Sequence, residues 1–142
     1  MNNKMIVKFD SLSVNEAFAR NVIASFLLPL DPEVSVLSDI KTAVSEAVTN
    51  AIVHGYPDKT GEVTLSAEID GNDLHITVAD EGVGIADLST AMQPFYTTRA
   101  DDERSGMGFT IIKAFMDDVK VKTAVGEGTV VEMYKRLGFS AE

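Results

Sequence analysis

The chain has 142 residues, 45% of them apolar and 24% charged, a mixture that fits one globular domain over residues 1–142 and excludes disordered and fibrous classes. Its formal net charge of −10 is repelled by phosphate backbones and anionic surfaces, so neither a direct nucleic-acid partner nor a membrane is expected. Without cysteine there are no disulfides, thiol nucleophiles or thiolate metal sites.

The start, MNNKMIVKFDS, carries no apolar signal region, and VIASFLLPL (Val22 to Leu30) is too short to span a bilayer and is interrupted by Pro29. A soluble, cytoplasmic protein is the expectation. Lys4 to Phe9 reads as a strand. From Val14 to Leu28, Val14, Ala17, Phe18, Val22, Ile23, Phe26 and Leu27 recur at helical spacing, with Ser11 or Ser13 available as N-cap. The prolines of LPLDPE end that helix. A second helix is predicted from Val34 to His54, with Val36, Leu37, Ile40, Ala43, Val44, Ala47, Val48 and Ala51 as its apolar stripe and Ser38, Lys41, Thr42, Ser45 and Thr49 facing away. Gly55 and Pro57 stop it. The period then changes to two. Val63, Leu65, Ala67 and Ile69 alternate with polar residues, and so do Leu74, Ile76 and Val78 beyond the turn DGND. Polar, glycine-rich sequence runs from Asp80 to Gly106. A third helix follows from Gly108 to Met116, then strands over Asp118 to Ala124 and Thr129 to Leu137. Helices on one face of a mainly antiparallel sheet make an α+β two-layer sandwich.

Glu46 and Asn50 lie one helical turn apart at a shoulder of the apolar stripe. An amide oxygen can ligate a hard cation such as Mg²⁺, and a carboxylate one turn away can take a proton from a nucleophile. A solvated helix edge has the same composition, so the pair needs company. Three glycine pairs at element ends supply it: DEGVG (Asp80 to Gly84) after a strand, GMGF (Gly106 to Phe109) opening a helix, and GEGT (Gly126 to Thr129) opening the last strand. Glycines let backbone N–H groups approach phosphate oxygens, and a helix start adds its dipole. The pattern G-x-x-x-x-G-K-S/T is absent, Gly82 to Asp87 fails G-x-G-x-x-G, and no kinase H-R-D loop is present. Asp80, at a strand end before glycines, by itself could merely start a turn, but with Glu46, Asn50 and the glycine pairs it is read as the acceptor of an exocyclic amine such as that of adenine. His75 alternates outward, and His54 ends the second helix, where it can border phosphates or simply meet the helix dipole.

E-x-x-x-N-A at Glu46–Ala51, D-x-G-x-G at Asp80–Gly84, G-x-G at Gly106–Gly108 and G-x-G-T at Gly126–Thr129 resemble the ordered boxes of the GHKL ATP-binding family, over about residues 34–135. VNEAFARNVIASFLLPLDPE, DIKTAVSEAVTNAIVHGYP and ERSGMGFTIIKAFMDDV further resemble the small anti-sigma serine kinases of that family, over nearly the whole chain. The resemblance implies ATP bound with Mg²⁺ and ADP as product, with Asn50 on the metal and Asp80 on the adenine amine. It implies Glu46 as general base and nucleotide contacts from His54, Gly82, Gly84, Thr97, Thr98, Gly106, Met107, Gly108 and Thr129. The stretch from Ile85 to Ser105, with PFYTTR inside it, matches the family's ATP lid. Arg104 at its end can stabilise γ-phosphate charge, and Arg99 stands where relatives often carry Lys. The implied partners are a sporulation sigma factor, an anti-anti-sigma antagonist phosphorylated on serine, and a second copy in a homodimer. Glu16 and Arg20, i,i+4 on the first helix, are the implied docking residues, although an ordinary intrahelical ion pair fits the same spacing. An ATPase with Glu46 activating water, or a non-catalytic nucleotide-gated module, are the alternatives.

Overall fold

The computed structural model describes residues 1–85 and 108–138. Strand β1 (Asn2–Asp10) leads into helix α1 (Val14–Leu27), and a short 3₁₀ turn (Leu28–Leu30) around Pro29 separates it from helix α2 (Val34–Asn50). The hairpin β2 (Glu62–Asp70) and β3 (Asp73–Asp80) follows, then helix α3 (Gly108–Phe115) and the hairpin β4 (Asp118–Ala124) and β5 (Gly128–Arg136). The five strands form one antiparallel sheet in the order β1-β2-β3-β5-β4. The α+β two-layer sandwich expected from the periodicities is therefore what forms.

Period-two patterning decides which face of the sheet is covered. Val63, Leu65, Ala67 and Ile69 on β2, Leu74, Ile76 and Val78 on β3, and Val131 and Met133 on β5 are all buried. The register sets Ile76 beside Ala67 on one side and Met133 on the other, so these side chains make continuous rows under the helices. Helix α2 is central, packed against both α1 and α3. Ile40, Ala43, Val44, Ala47 and Val48 are its buried stripe.

Three local expectations are corrected. Thr49, predicted to face away from the core, is buried, because α2 has helices on its flanks as well as a sheet beneath it. Val14 and Phe18, two of the apolar residues at helical spacing on α1, are exposed, because the contact line of α1 runs through Ala19, Ile23 and Leu27; the Phe18 ring meets that of Phe9 edge-on, with centroids 6.1 Å apart. Ser13 occupies the N-cap but its hydroxyl caps nothing, since its backbone is already helical, and the Ser11 hydroxyl is committed to the Gly61 N–H at 2.9 Å.

The second helix also ends differently. It is α-helical to Asn50 and continues as one π-helical turn over Ala51–Gly55. A π turn inserts an extra residue per turn and re-phases the side chains beyond it, and such turns recur at functional sites.

Candidate functional site

Alternation along β3 carries Asp80 to the same inward face as Leu74, Ile76 and Val78, so a carboxylate takes what is geometrically a core position. It is 7% exposed, and its sheet neighbours are Val63 and Thr129. Burial pushes the Asp80 carboxyl above the ordinary aspartate range, partly opposed by backbone N–H groups of Gly82 and Thr129 that favour its charged form. The Gly82 N–H donates to Oδ1 at 2.9 Å.

The glycines around Asp80 are fixed by close approach. A Cβ on Gly55 would sit 2.8 Å from the carboxyl carbon of Asp80, and one on Gly82 would sit 1.8 Å from the carbonyl oxygen of Gly55. The Val83 N–H donates to that same carbonyl at 2.9 Å. The π turn that ends α2 is thereby pressed directly onto the end of β3. Gly82→Ala meets backbone, which cannot rotate aside as a side chain can. It is expected to cost about 1–3 kcal/mol of stability, read as a lower urea midpoint at unchanged slope.

Beyond Gly82 the loop is tied to the β4–β5 turn. The Gly126 N–H donates to the Val83 carbonyl at 2.8 Å, and the Ile85 N–H donates to Thr123 Oγ1 at 2.8 Å. The Thr123 hydroxyl donates to the Gly128 carbonyl at 3.0 Å, so the Thr129 hydroxyl, 2.9 Å away, is left to donate to it. Two of the glycine pairs, at Asp80–Gly84 and Gly126–Thr129, are thus joined into one backbone cradle, which includes Gly84. The third pair straddles the boundary of the described residues. Gly108 opens α3, which packs on α2 through a face where Phe109 and Ile112 are buried. Gly106 and Met107 lie outside the described residues, as do Thr97, Thr98, Arg99 and Arg104, and all of the expected lid except Ile85.

Glu46, Asn50 and His54 follow one another up the last turns of α2 and into the π turn, all half-buried. Oε2 of Glu46 is a buried atom. Nδ2 of Asn50 is buried too and has no hydrogen-bond partner among the described residues. Leaving a buried amide unsatisfied costs about 1–3 kcal/mol, so this nitrogen calls for an acceptor that the described residues do not supply. A half-turn of the amide exchanges its nitrogen and oxygen, and the oxygen is the kind of donor that Mg²⁺ takes. The residue type at Asn50 is thus compatible with the metal role that the resemblance implies.

On α1, Oε2 of Glu16 accepts from Arg20 Nε at 3.0 Å, and it accepts also from Ser45 Oγ, on α2, at 2.6 Å. The expected intrahelical pair exists, and its carboxylate also accepts a hydrogen bond from α2.

Sequence reasoning missed Tyr56 as well as Gly55 and Thr123. The Tyr56 hydroxyl accepts from the Glu81 N–H and donates to the Glu62 carbonyl, both at 2.7 Å, bracing the residue next to Asp80. In HGYP the glycine and proline signalled a helix stop, and nothing in that run marks the tyrosine as a brace.

Residues 11–135 match the histidine kinase-like ATPase domain. The chain is 53% identical over 136 residues to the anti-sigma F factor of Thermoanaerobacter sp. (strain X514), covering 96% of this chain and 95% of that one. It is 50% identical over 141 residues to the anti-sigma F factor of Geobacillus thermodenitrificans (strain NG80-2), covering 99% and 97%. In fold it resembles the crystal structure of the RsbU and RsbW domains of Rv1364c from Mycobacterium tuberculosis, with a TM-score of 0.68 at 20% identity. That match covers 95% of this chain and 32% of the longer one.

Proposed function

The chain belongs to the histidine kinase-like ATPase domain family, and from that premise we propose that it is an anti-sigma factor and a serine protein kinase, which inhibits a sporulation sigma factor and uses Mg·ATP to phosphorylate a serine of its anti-anti-sigma antagonist. The observation that carries the nucleotide reading is Asp80. It is a carboxylate at a core position, desolvated, with its charge-stabilising donors drawn from the backbone of the glycine cradle. Desolvated carboxylates in this setting mark functional sites rather than stable cores. The family and the names of the relatives support the rest of the reading.

In this reading Asp80 accepts a hydrogen bond from the adenine amine, and the glycine cradle, with the start of α3, holds the rest of the nucleotide by backbone N–H groups. Asn50 holds Mg²⁺, which when bound offsets the negative charge of the phosphates. Glu46 accepts the proton of the partner's serine hydroxyl as that oxygen bonds to the γ-phosphorus. The bond from the γ-phosphorus to the bridging oxygen breaks, and ADP leaves with that electron pair. Arg104 stabilises the transferring phosphoryl charge, and His54, Thr97, Thr98, Met107 and Thr129 complete the nucleotide contacts. The protein works as a homodimer in the cytoplasm; no helix among the described residues is long and apolar enough to cross a membrane.

Glu16 and Arg20 on α1 are the docking residues for both partners. Arg20→Ala is expected to weaken binding of the sigma factor and of the antagonist at least tenfold, measured by titration calorimetry with each purified partner. Unchanged affinity for both would remove α1 from the docking surface.

The kinase reading is tested by γ-labelled ATP·Mg²⁺ in a sporulating-cell extract. One small protein labelled on serine is the expected result. Free phosphate with no labelled protein would make the chain an ATPase, and ATP binding with neither product would make it a nucleotide-gated binding module.

A further inference from the structure

Ser45 directly precedes Glu46 on α2, yet its hydroxyl is spent elsewhere. It lies 2.6 Å from Oε2 of Glu16 on α1, the oxygen that also takes Arg20 Nε at 3.0 Å. An ionised carboxylate only accepts, so the serine is the donor, and the short separation is that of a charged acceptor. Two donors on one oxygen, one from each helix, fix the rotation of the carboxylate. An i,i+4 pair at a surface does not do this by itself, because its Coulomb gain hardly exceeds the entropy of ordering two long side chains. Here the ordering is anchored across the α1–α2 contact, with the side chain of Glu16 24% exposed and that of Arg20 42% exposed. Arg20 spends Nε on Glu16. No bond of its terminal nitrogens is present among the described residues, and the side chain is part-exposed.

We propose that Ser45 is a positioning residue for partner recognition: through Glu16 it holds the Arg20 guanidinium in the orientation that a docking protein meets. The inference rests on the reading of α1 as the docking helix. Ordering Arg20 before encounter removes part of the entropy that binding otherwise costs. Ser45 acts through Glu16 and Arg20, so its loss affects the partner and not the nucleotide.

The test is a double-mutant cycle on the full chain, with Ser45→Ala, Arg20→Ala and both, titrated with the purified antagonist and separately with ATP·Mg²⁺. Ser45→Ala is expected to weaken antagonist binding about tenfold, and Ser45→Thr, which keeps a hydroxyl, to restore most of it. In the Arg20→Ala background the serine change is expected to add less than twofold, because the group it positions is gone. ATP affinity and kcat stay within twofold, and KM for the antagonist rises with its Kd. If Ser45→Ala binds the antagonist as wild type does while Arg20→Ala does not, the positioning role is wrong and the docking reading stands. If the two losses multiply in the double variant, the serine acts independently of Arg20 and the proposal is again wrong. If Arg20→Ala itself changes nothing, the docking reading falls and takes this inference with it.

Discussion

Glu46→Ala is expected to abolish phosphate transfer to protein, by about 10²–10⁴-fold in kcat, while ATP affinity stays within about twofold of wild type. The asymmetry follows from the two roles on one helix. In the proposed reading Asn50 and Asp80 hold the nucleotide, whereas a general base acts when the serine proton moves. Glu46 stands one turn before Asn50 on the last stretch of regular α-helix, ahead of the π turn that is pressed onto Asp80. Its Oε2 is buried, which places part of the carboxylate away from bulk water. Glu46→Gln keeps the volume and removes the basicity, and is expected to fail equally in transfer. Single-turnover transfer and ATP titration on the same preparations decide the matter. Joint loss of transfer and ATP affinity would make Glu46 a structural residue, and transfer at wild-type rate in either variant would move the base elsewhere.

Asp80→Asn is expected to weaken ATP binding about 10–100-fold and to erase preference for ATP over inosine triphosphate, which has a carbonyl where adenine has its amine. The wild-type carboxylate only accepts and so rejects that carbonyl, whereas an amide can donate to it. A pH dependence accompanies the change. Burial raises the folded-state pKa of Asp80, so between the ordinary aspartate value of 3.8 and that raised value the folded chain binds more protons than the unfolded one. The contribution of Asp80 to stability is then fully present below 3.8 and is lost as pH rises through the folded value. The difference in melting temperature, wild type minus Asp80→Asn, is therefore expected to fall with rising pH across that window and to level off above it. ATP affinity runs the opposite way in the wild type, weakening as the carboxylate protonates. A difference in melting temperature that stays flat from pH 3.5 upward, with ATP preference retained by the variant, would show that Asp80 faces neither burial nor adenine.

The amino-acid sequence by itself determined the five strands and three α-helices among the described residues, though not the π turn, because periods of two and 3.6 are written into each segment independently of its neighbours. It also placed Asp80 at a strand end before glycines, and Glu46 and Asn50 one turn apart, since short spacings on regular elements survive into the fold. Period tells a segment which face is apolar but not what covers it. The tertiary structure alone decided that Val14 and Phe18 stay outside while Thr49 goes in, since that depends on the helices either side of α2. It set β5 between β3 and β4, which is what brings Thr129 beside Asp80. The π turn came from packing as well: the chain past Asn50 has to bring the Gly55 backbone flat against a carboxylate and against Gly82. The bonds from the Glu81 N–H to Tyr56 and from Ser45 to Glu16 belong to the same class. A hydroxyl carries no periodicity, and its partner is known only when separate elements meet.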